Sequence, residues 1–204
     1  MLKAIRYYIE QSWLLIVSAF FFGLLIAVAN AAWSGKADTN KKAKLSNLMK
    51  NLVQNAAKFE VAIKDANVAD GKGKLLKTDI YKAVDENGNG LGFAYITSGT
   101  GFADKIELII AVDADCGKFL GFEILYANET PGFGDKIKKD EFRNQFKNAP
   151  AEPVSLIKAG DRKKIDNEIV AITGATVTST AVTNIFNKSI VSVKEALQQK
   201  GLIK

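Results

Sequence analysis

Four hydroxyls crowd around one glycine in Ile172-Thr173-Gly174-Ala175-Thr176-Val177-Thr178-Ser179. Just before them, Glu168-Ile169-Val170-Ala171-Ile172 is short, apolar and β-branched, the pattern of a buried strand. After them, Val182, Ile185, Phe186, Ile190, Val193 and Leu197 recur at three and four, which predicts a helix running to about residue 199. Two uses of the hydroxyls stand open on residue chemistry. They can cap the unpaired N–H groups of the helix start. Alternatively, the helix start can hold a phosphate, because its N–H groups and dipole both favour negative charge. Gly174 permits a tight turn or a close approach to a ligand in either case.

A second stretch, Glu129-Thr130-Pro131-Gly132-Phe133-Gly134-Asp135-Lys136-Ile137, places one proline and two glycines in a compact loop. Thr130, Lys136 and the loop N–H groups could face an anion, or the segment could be an ordinary strand-to-helix turn. Composition narrows the chemistry further. The chain of 204 residues has no histidine and one cysteine, Cys116. This excludes Ser-His-Asp triads, imidazole acid–base catalysis, His-based metal sites, an internal disulfide, and a self-contained iron–sulfur cluster or Cys-rich zinc site. No catalytic residue and no metal ligand is therefore assigned, and redox chemistry would need an organic cofactor. The net charge of +6 comes without a basic stripe interleaved with aromatics, so nucleic acid is not an expected partner.

Thr173-Gly174-Ala175-Thr176 followed by Val177-Thr178-Ser179, together with Glu-Thr-Pro-Gly-Phe-Gly at 129–134, resembles the FMN-binding domain family. The likeness is strongest to the G subunit of the Rnf electron-transport complex. That protein is related to the C subunit of the sodium-pumping NADH:quinone oxidoreductase. The resemblance implies FMN esterified through its phosphate to Thr176. Thr173, Gly174, Ala175, Thr178 and Ser179 would surround the phosphate, and Glu129, Thr130, Gly132, Gly134 and Lys136 would flank the cofactor. It further implies an electron-carrying subunit of a ferredoxin:NAD oxidoreductase that translocates ions. Its partners would be the other membrane and redox subunits and a flavin-attaching transferase. Val170 stands where the family usually has Asp, and Ala127 where it often has His. These departures motivate a second reading, a cofactor-free membrane-anchored interaction domain. A stand-alone flavinylated protein of extracytoplasmic electron transfer is a third.

The elements that would carry these motifs predict an α+β protein: an N-terminal transmembrane helix, then an FMN-binding domain of antiparallel hairpins and packed helices. Residues 12–33 are almost wholly apolar and bracketed by Trp13 and Trp33, as in a membrane span with interfacial aromatics. The alternative is a cleaved signal, with Lys3 and Arg6 ahead and Ala27-Val28-Ala29 or Ala29-Asn30-Ala31 as cleavage sites. Lys36, Lys41, Lys42 and Lys44 follow the span, so a simple positive-inside count places the domain in the cytoplasm. The resemblance implies the opposite, an inner-membrane anchor with the domain on the periplasmic side. The expected division is residues 1–36 as tail and anchor, 37–70 as an amphipathic connecting helix, and 71–204 as the FMN-binding domain. The connecting helix rests on Leu45, Leu48, Met49, Leu52, Val53 and Ala56, and its pattern reads as far as residue 66. Strands are expected over 79–84, 92–97, 105–112, 119–126 and 154–157, with a short helix at 139–146. Residues 98–102 read as a Gly-rich turn. Cys116 falls in a hairpin turn and is expected to be exposed.

Overall fold

The structure is a computed structural model that describes residues 2–203, with side chains for all but residues 2–6, 8, 9, 34–38, 41 and 42. Lys3, Arg6, Lys36, Lys41 and Lys42, on which the charge count across the span depends, therefore have side chains outside the described ones. The chain forms two compact units, Met1–Lys44 and Leu45–Lys204.

The first unit consists of helix, part of α1 (Leu2–Leu52). Within it, Glu10–Trp33 has a mean hydropathy of 2.4 over 24 residues and none of it is buried. At 1.5 Å per residue such a segment reaches about 36 Å, enough to cross a hydrocarbon core of about 30 Å. Trp13 and Trp33 are both exposed. The Ser18 hydroxyl donates to the Leu15 carbonyl at 3.0 Å, so this mid-span polar side chain is satisfied inside the helix.

The second unit is built on a five-stranded antiparallel meander. Its strands, in spatial order, are β1 (Lys58–Ala69), β2 (Leu75–Val84), β3 (Gly90–Thr100), β4 (Lys105–Asp113) and β5 (Phe119–Ala127). Three of its turns close by one device, an aspartate whose Oδ1 accepts two backbone N–H groups. Asp70 takes Lys72 and Lys74, Asp85 takes Asn87 and Asn89, and Asp113 takes Gly117 and Lys118. Along β4, Ile106, Leu108, Ile110 and Val112 point to one face while Ile109 and Ala111 point to the other. Because both faces are apolar, both must be covered.

The first face is covered by α3 (Thr176–Gln199), whose Val182, Ile185, Phe186, Ile190, Val193 and Leu197 form the predicted stripe. Phe186 is its centre, with ring centroids of Phe146, Phe119 and Phe122 at 4.3, 4.9 and 5.4 Å. The second face is covered by Met49 and Val53 with Leu45, Leu48 and Leu52, packed on Ala83, Ala94, Ile109 and Ala111. The outer edge of β5 is closed by side chains. Arg143 Nη2 donates to the Phe122 carbonyl at 2.8 Å and Lys138 Nζ to the Ala127 carbonyl at 3.1 Å. Between β5 and α3 lie α2 (Asp140–Arg143), β6 (Ser155–Ile157) and β7 (Glu168–Val170), the last two paired in parallel. The α+β class, with an apolar N-terminal helix followed by antiparallel hairpins and packed helices, is as the sequence predicts.

Three expectations are corrected. The connecting helix does not run through residue 66: α1 ends at Leu52, Asn55 takes a left-handed φ of 65°, and Lys58–Ala69 is a strand. Leu45, Leu48, Met49 and Leu52 keep the helical period, but Phe59, Val61 and Ile63 alternate and pair with β2. Residues 98–100 are not a turn but the end of β3, paired with Lys105 to Glu107 of β4. Cys116 is buried at 1% exposure, because its left-handed turn (φ 54°) tucks the thiol into the main core.

Burial, with the Asp113 carboxylate beside it, pushes the Cys116 thiol up to about 12. The folded value lies above the unfolded one, so the neutral thiol's contribution to stability is intact below the ordinary thiol range and lost as pH rises toward 12. Iodoacetamide at pH 8 should leave Cys116 unmodified in the folded protein and label it on unfolding, read by mass. Labelling of the native protein at the rate of a free thiol would contradict the burial.

Candidate functional site

The glycine turn hangs between two anchored elements. On one side β7 is gripped from both edges. Its residues pair with β6, and the buried Gln145 side chain accepts from the Val170 N–H at 2.7 Å and donates to the Val170 carbonyl at 3.3 Å. Ala171 continues the grip by donating to the Ile157 carbonyl at 2.8 Å, and Arg162 donates to the Ala171 carbonyl at 3.2 Å. On the other side α3 is fixed by its buried stripe. Between them Ala175 N–H donates to the Ile172 carbonyl at 2.9 Å, with Gly174 in the third position of the turn at φ +80°. That angle is the one type II turns demand, and L side chains resist it.

The hydroxyls at the helix start do not cap it, which corrects the plain capping reading. The residue before the helix is Ala175, with no side-chain cap. Ser179 turns inward: its Oγ accepts from the Ile172 N–H and donates to the Ala175 carbonyl, both at 3.0 Å, so it stitches the turn closed. Thr178 donates to Glu129 Oε2 at 2.7 Å. Thr176 is exposed, and among the described residues its hydroxyl has no hydrogen-bond partner. The first-turn N–H groups of Thr176, Val177 and Thr178 have no upstream helical carbonyl to bond.

These groups open on a cavity of about 360 Å³ lined by Phe102, Thr130, Phe133, Gly134, Gly174, Ala175, Thr176, Val177 and Thr178. That volume lies in the range of small-molecule sites. Its walls are exposed apolar side chains, Phe102, Phe133 and Val177, and its floor is the helix start. Such a lining suits a ligand with a flat apolar ring and an anionic group. Of the expected site residues, Thr130, Gly134, Gly174, Ala175, Thr176 and Thr178 line it. Thr173 and Lys136 do not. They line an adjoining cleft of about 180 Å³ with Lys139, Glu141, Phe142 and Arg162. Lys136 nonetheless places its ammonium 5.9 Å from the centroid of the Phe133 ring. Gly132 shapes the loop at φ +77°. Ser179 and Glu129 are buried and act on the backbone rather than on the cavity.

Sequence reasoning missed Phe102, Phe133 and Gln145. Phe133 lies in a motif where any large apolar residue serves as well, which hides its role as a wall. Phe102 belongs to a connection 27 residues before Glu129 in sequence, brought in by the sheet. A glutamine in a short helix carries no mark of a buried role. Val170, at the position of the family's usual Asp, is 4% exposed with its side chain in the interior, so it lies outside the lining. Among the described residues no group of His, Cys, Asp and Glu could hold a metal ion.

The profile of the FMN-binding domain family matches residues 101–191, the span that contains both loops and the start of α3. Two solved structures share the fold. NqrC of Shewanella oneidensis has a TM-score of 0.56 at 21% identity over 71% of this chain and 72% of that one. The C subunit of the Na+-translocating NADH-quinone reductase of Parabacteroides distasonis has a TM-score of 0.51 at 22% identity over 66% and 78%. The class is therefore an α+β protein of the FMN-binding domain type. Sequence relatives narrow it. The G subunit of the proton-translocating ferredoxin:NAD+ oxidoreductase complex of Clostridium ljungdahlii is 35% identical over 91% of this chain and 87% of its own. The G subunit of the ion-translocating oxidoreductase complex of Methanosarcina acetivorans is 32% identical over 70% and 71%. The chain belongs to the family of G subunits of ion-translocating oxidoreductase complexes.

Gly174→Ala tests the turn. A Cβ there would stand 3.0 Å from Phe133 Cδ1 on a backbone at φ +80°. We expect a loss of about 1–2 kcal/mol in chemical unfolding. An unchanged unfolding midpoint would show that the turn relaxes freely.

Proposed function

We propose that this protein is a membrane-anchored electron carrier holding FMN covalently. The cofactor would occupy the cavity at the start of α3, with its phosphate esterified to the Thr176 hydroxyl. The observation that carries this reading is the placement of that hydroxyl: free of other partners among the described residues, at the first position of a helix, beside unengaged N–H groups and in a cavity that two aromatic rings also line. A phosphate there gains from the helix dipole and the N–H groups. Phe102, Phe133 and Val177 would receive an apolar ring system and shed water from it.

The residues present thus fit FMN, and the flavin supplies the redox chemistry while the chain supplies position and electrostatics. No side chain is proposed to bind a diffusing substrate. The N-terminal segment, residues 1–36, would anchor the protein in the cytoplasmic membrane, with the domain on the extracytoplasmic side. Its partners would be the other subunits of a ferredoxin:NAD+ oxidoreductase complex that moves ions, and a transferase that attaches the flavin. A covalent bond suits a carrier on that side, where a lost cofactor is not readily replaced.

Peptide mass spectrometry on the membrane-purified protein is the direct test. An FMN-sized increment is expected on the peptide containing Thr176. It should vanish in Thr176→Ala while the circular dichroism of the fold is kept. In-gel flavin fluorescence that persists in the Thr176→Ala protein would overturn the assignment. An unmodified wild type, in cells that hold the transferase, would favour the cofactor-free interaction domain.

A further inference from the structure

Glu129 is a motif residue that does not line the cavity. It is 5% exposed, and four donors converge on its two carboxylate oxygens. The backbone N–H groups of Phe102, Ala103 and Asp104 donate at 3.3, 3.2 and 3.4 Å, and the Thr178 hydroxyl donates at 2.7 Å. The carboxylate therefore joins three segments far apart in sequence: the connection leaving β3, the loop after β5, and the first turn of α3. Each of those segments brings part of the cavity's lining, namely Phe102, Phe133 and Thr176.

The surroundings are shaped to this carboxylate. A Cβ on Gly101 would collide with Glu129 Oε1, and one on Gly134 would stand 2.7 Å from Oε2 and 2.8 Å from Thr178 Oγ1. Both glycines are thus required by the approach of the backbone to the acid. The loop it holds is braced from outside as well. The Tyr126 hydroxyl donates to Asp104 Oδ2 at 2.6 Å, and with the Lys105 N–H it keeps the Asp104 carboxyl below the usual carboxylate range.

We propose that Glu129 is the positioning residue of the flavin site, setting the placement of Phe102 and Phe133 around Thr176 without touching the cofactor. This rests on the flavin reading above. Glutamine at this position has nearly the same shape, but its amide would turn N–H hydrogens toward the loop's own N–H groups, so at most part of the network survives. Thr178→Val removes the helix arm of the tie at nearly constant volume, and Thr178→Ser keeps the hydroxyl, so the pair separates the tie from the shape of the lining.

The experiment uses full-length protein in detergent, produced with the flavin-attaching transferase. Wild type, Glu129→Gln, Thr178→Val and Thr178→Ser are compared by peptide mass, by visible circular dichroism of the bound flavin and by its midpoint potential. Amide exchange at residues 102–104 is measured in parallel in a Thr176→Ala background, where no flavin is attached. We expect Glu129→Gln and Thr178→Val to weaken the flavin's visible dichroism and shift its potential, with Thr178→Ser, which keeps the donor, closer to wild type than Thr178→Val in both. In Glu129→Gln, exchange at 102–104 should rise by about tenfold or more, as loss of a hydrogen bond to a charged group implies. If Glu129→Gln fails to fold, Thr178→Val against Thr178→Ser decides. A flavinylated wild type with unchanged dichroism, potential and exchange in the variants overturns this inference alone. A flavin-free wild type overturns both it and the reading beneath it.

Discussion

A helix start can present its N–H groups to a ligand only if the helix cannot slide, and here the constraint is the buried stripe of α3. Phe186 sits among Phe119, Phe122 and Phe146, and Val182, Ile185, Ile190, Val193 and Leu197 lie at 0 or 1% exposure against the sheet. Moving the helix by one residue would carry its apolar face out of register with the strands, which close packing does not allow. The position of Thr176 is thus decided by side chains along the whole length of the helix. The short strand β7 meets the same requirement from the other end of the turn, through Gln145 and β6.

Once the helix is fixed, hydrogen bonding sets the loops around it. Backbone N–H groups that leave a sheet must find other acceptors. Those of residues 102–104 find one carboxylate, which the Thr178 hydroxyl shares. A neutral side chain offers fewer lone pairs, so an acid is the economical choice for three converging donors. The same solution appears at the hairpin turns, where Asp70, Asp85 and Asp113 each gather two N–H groups, but there at the partly exposed surface. The difference in burial separates a local turn device from a tie that spans the site.

Where sequence and structure differ, the cause is the same each time. The segment after Leu52 carries apolar residues whose spacing suits a helix for part of its length and a strand for the rest. Pairing with β2 settles it, and pairing is not local. Cys116 has the sequence setting of an exposed turn residue, yet a left-handed residue can aim its side chain back into the core. The hydroxyls of Thr178 and Ser179 have the composition of a cap, while their partners are a carboxylate 49 residues earlier and the backbone of the turn itself.

Much is legible without coordinates because it rests on short-range rules. The period of α3, the apolar runs of β3 and β4, the aspartate and glycine turns, and the length of the apolar span each depend on neighbours within a few residues. The two motifs also pick out two of the segments that line the cavity. What the tertiary structure alone decided is the division of labour inside them. It brought Phe102 to the cavity, turned Ser179 inward, sent Lys136 and Thr173 to the adjoining cleft and buried Glu129 beneath the walls. Those assignments depend on which segments the sheet and α3 bring within hydrogen-bonding distance, and sequence spacing carries no information about that.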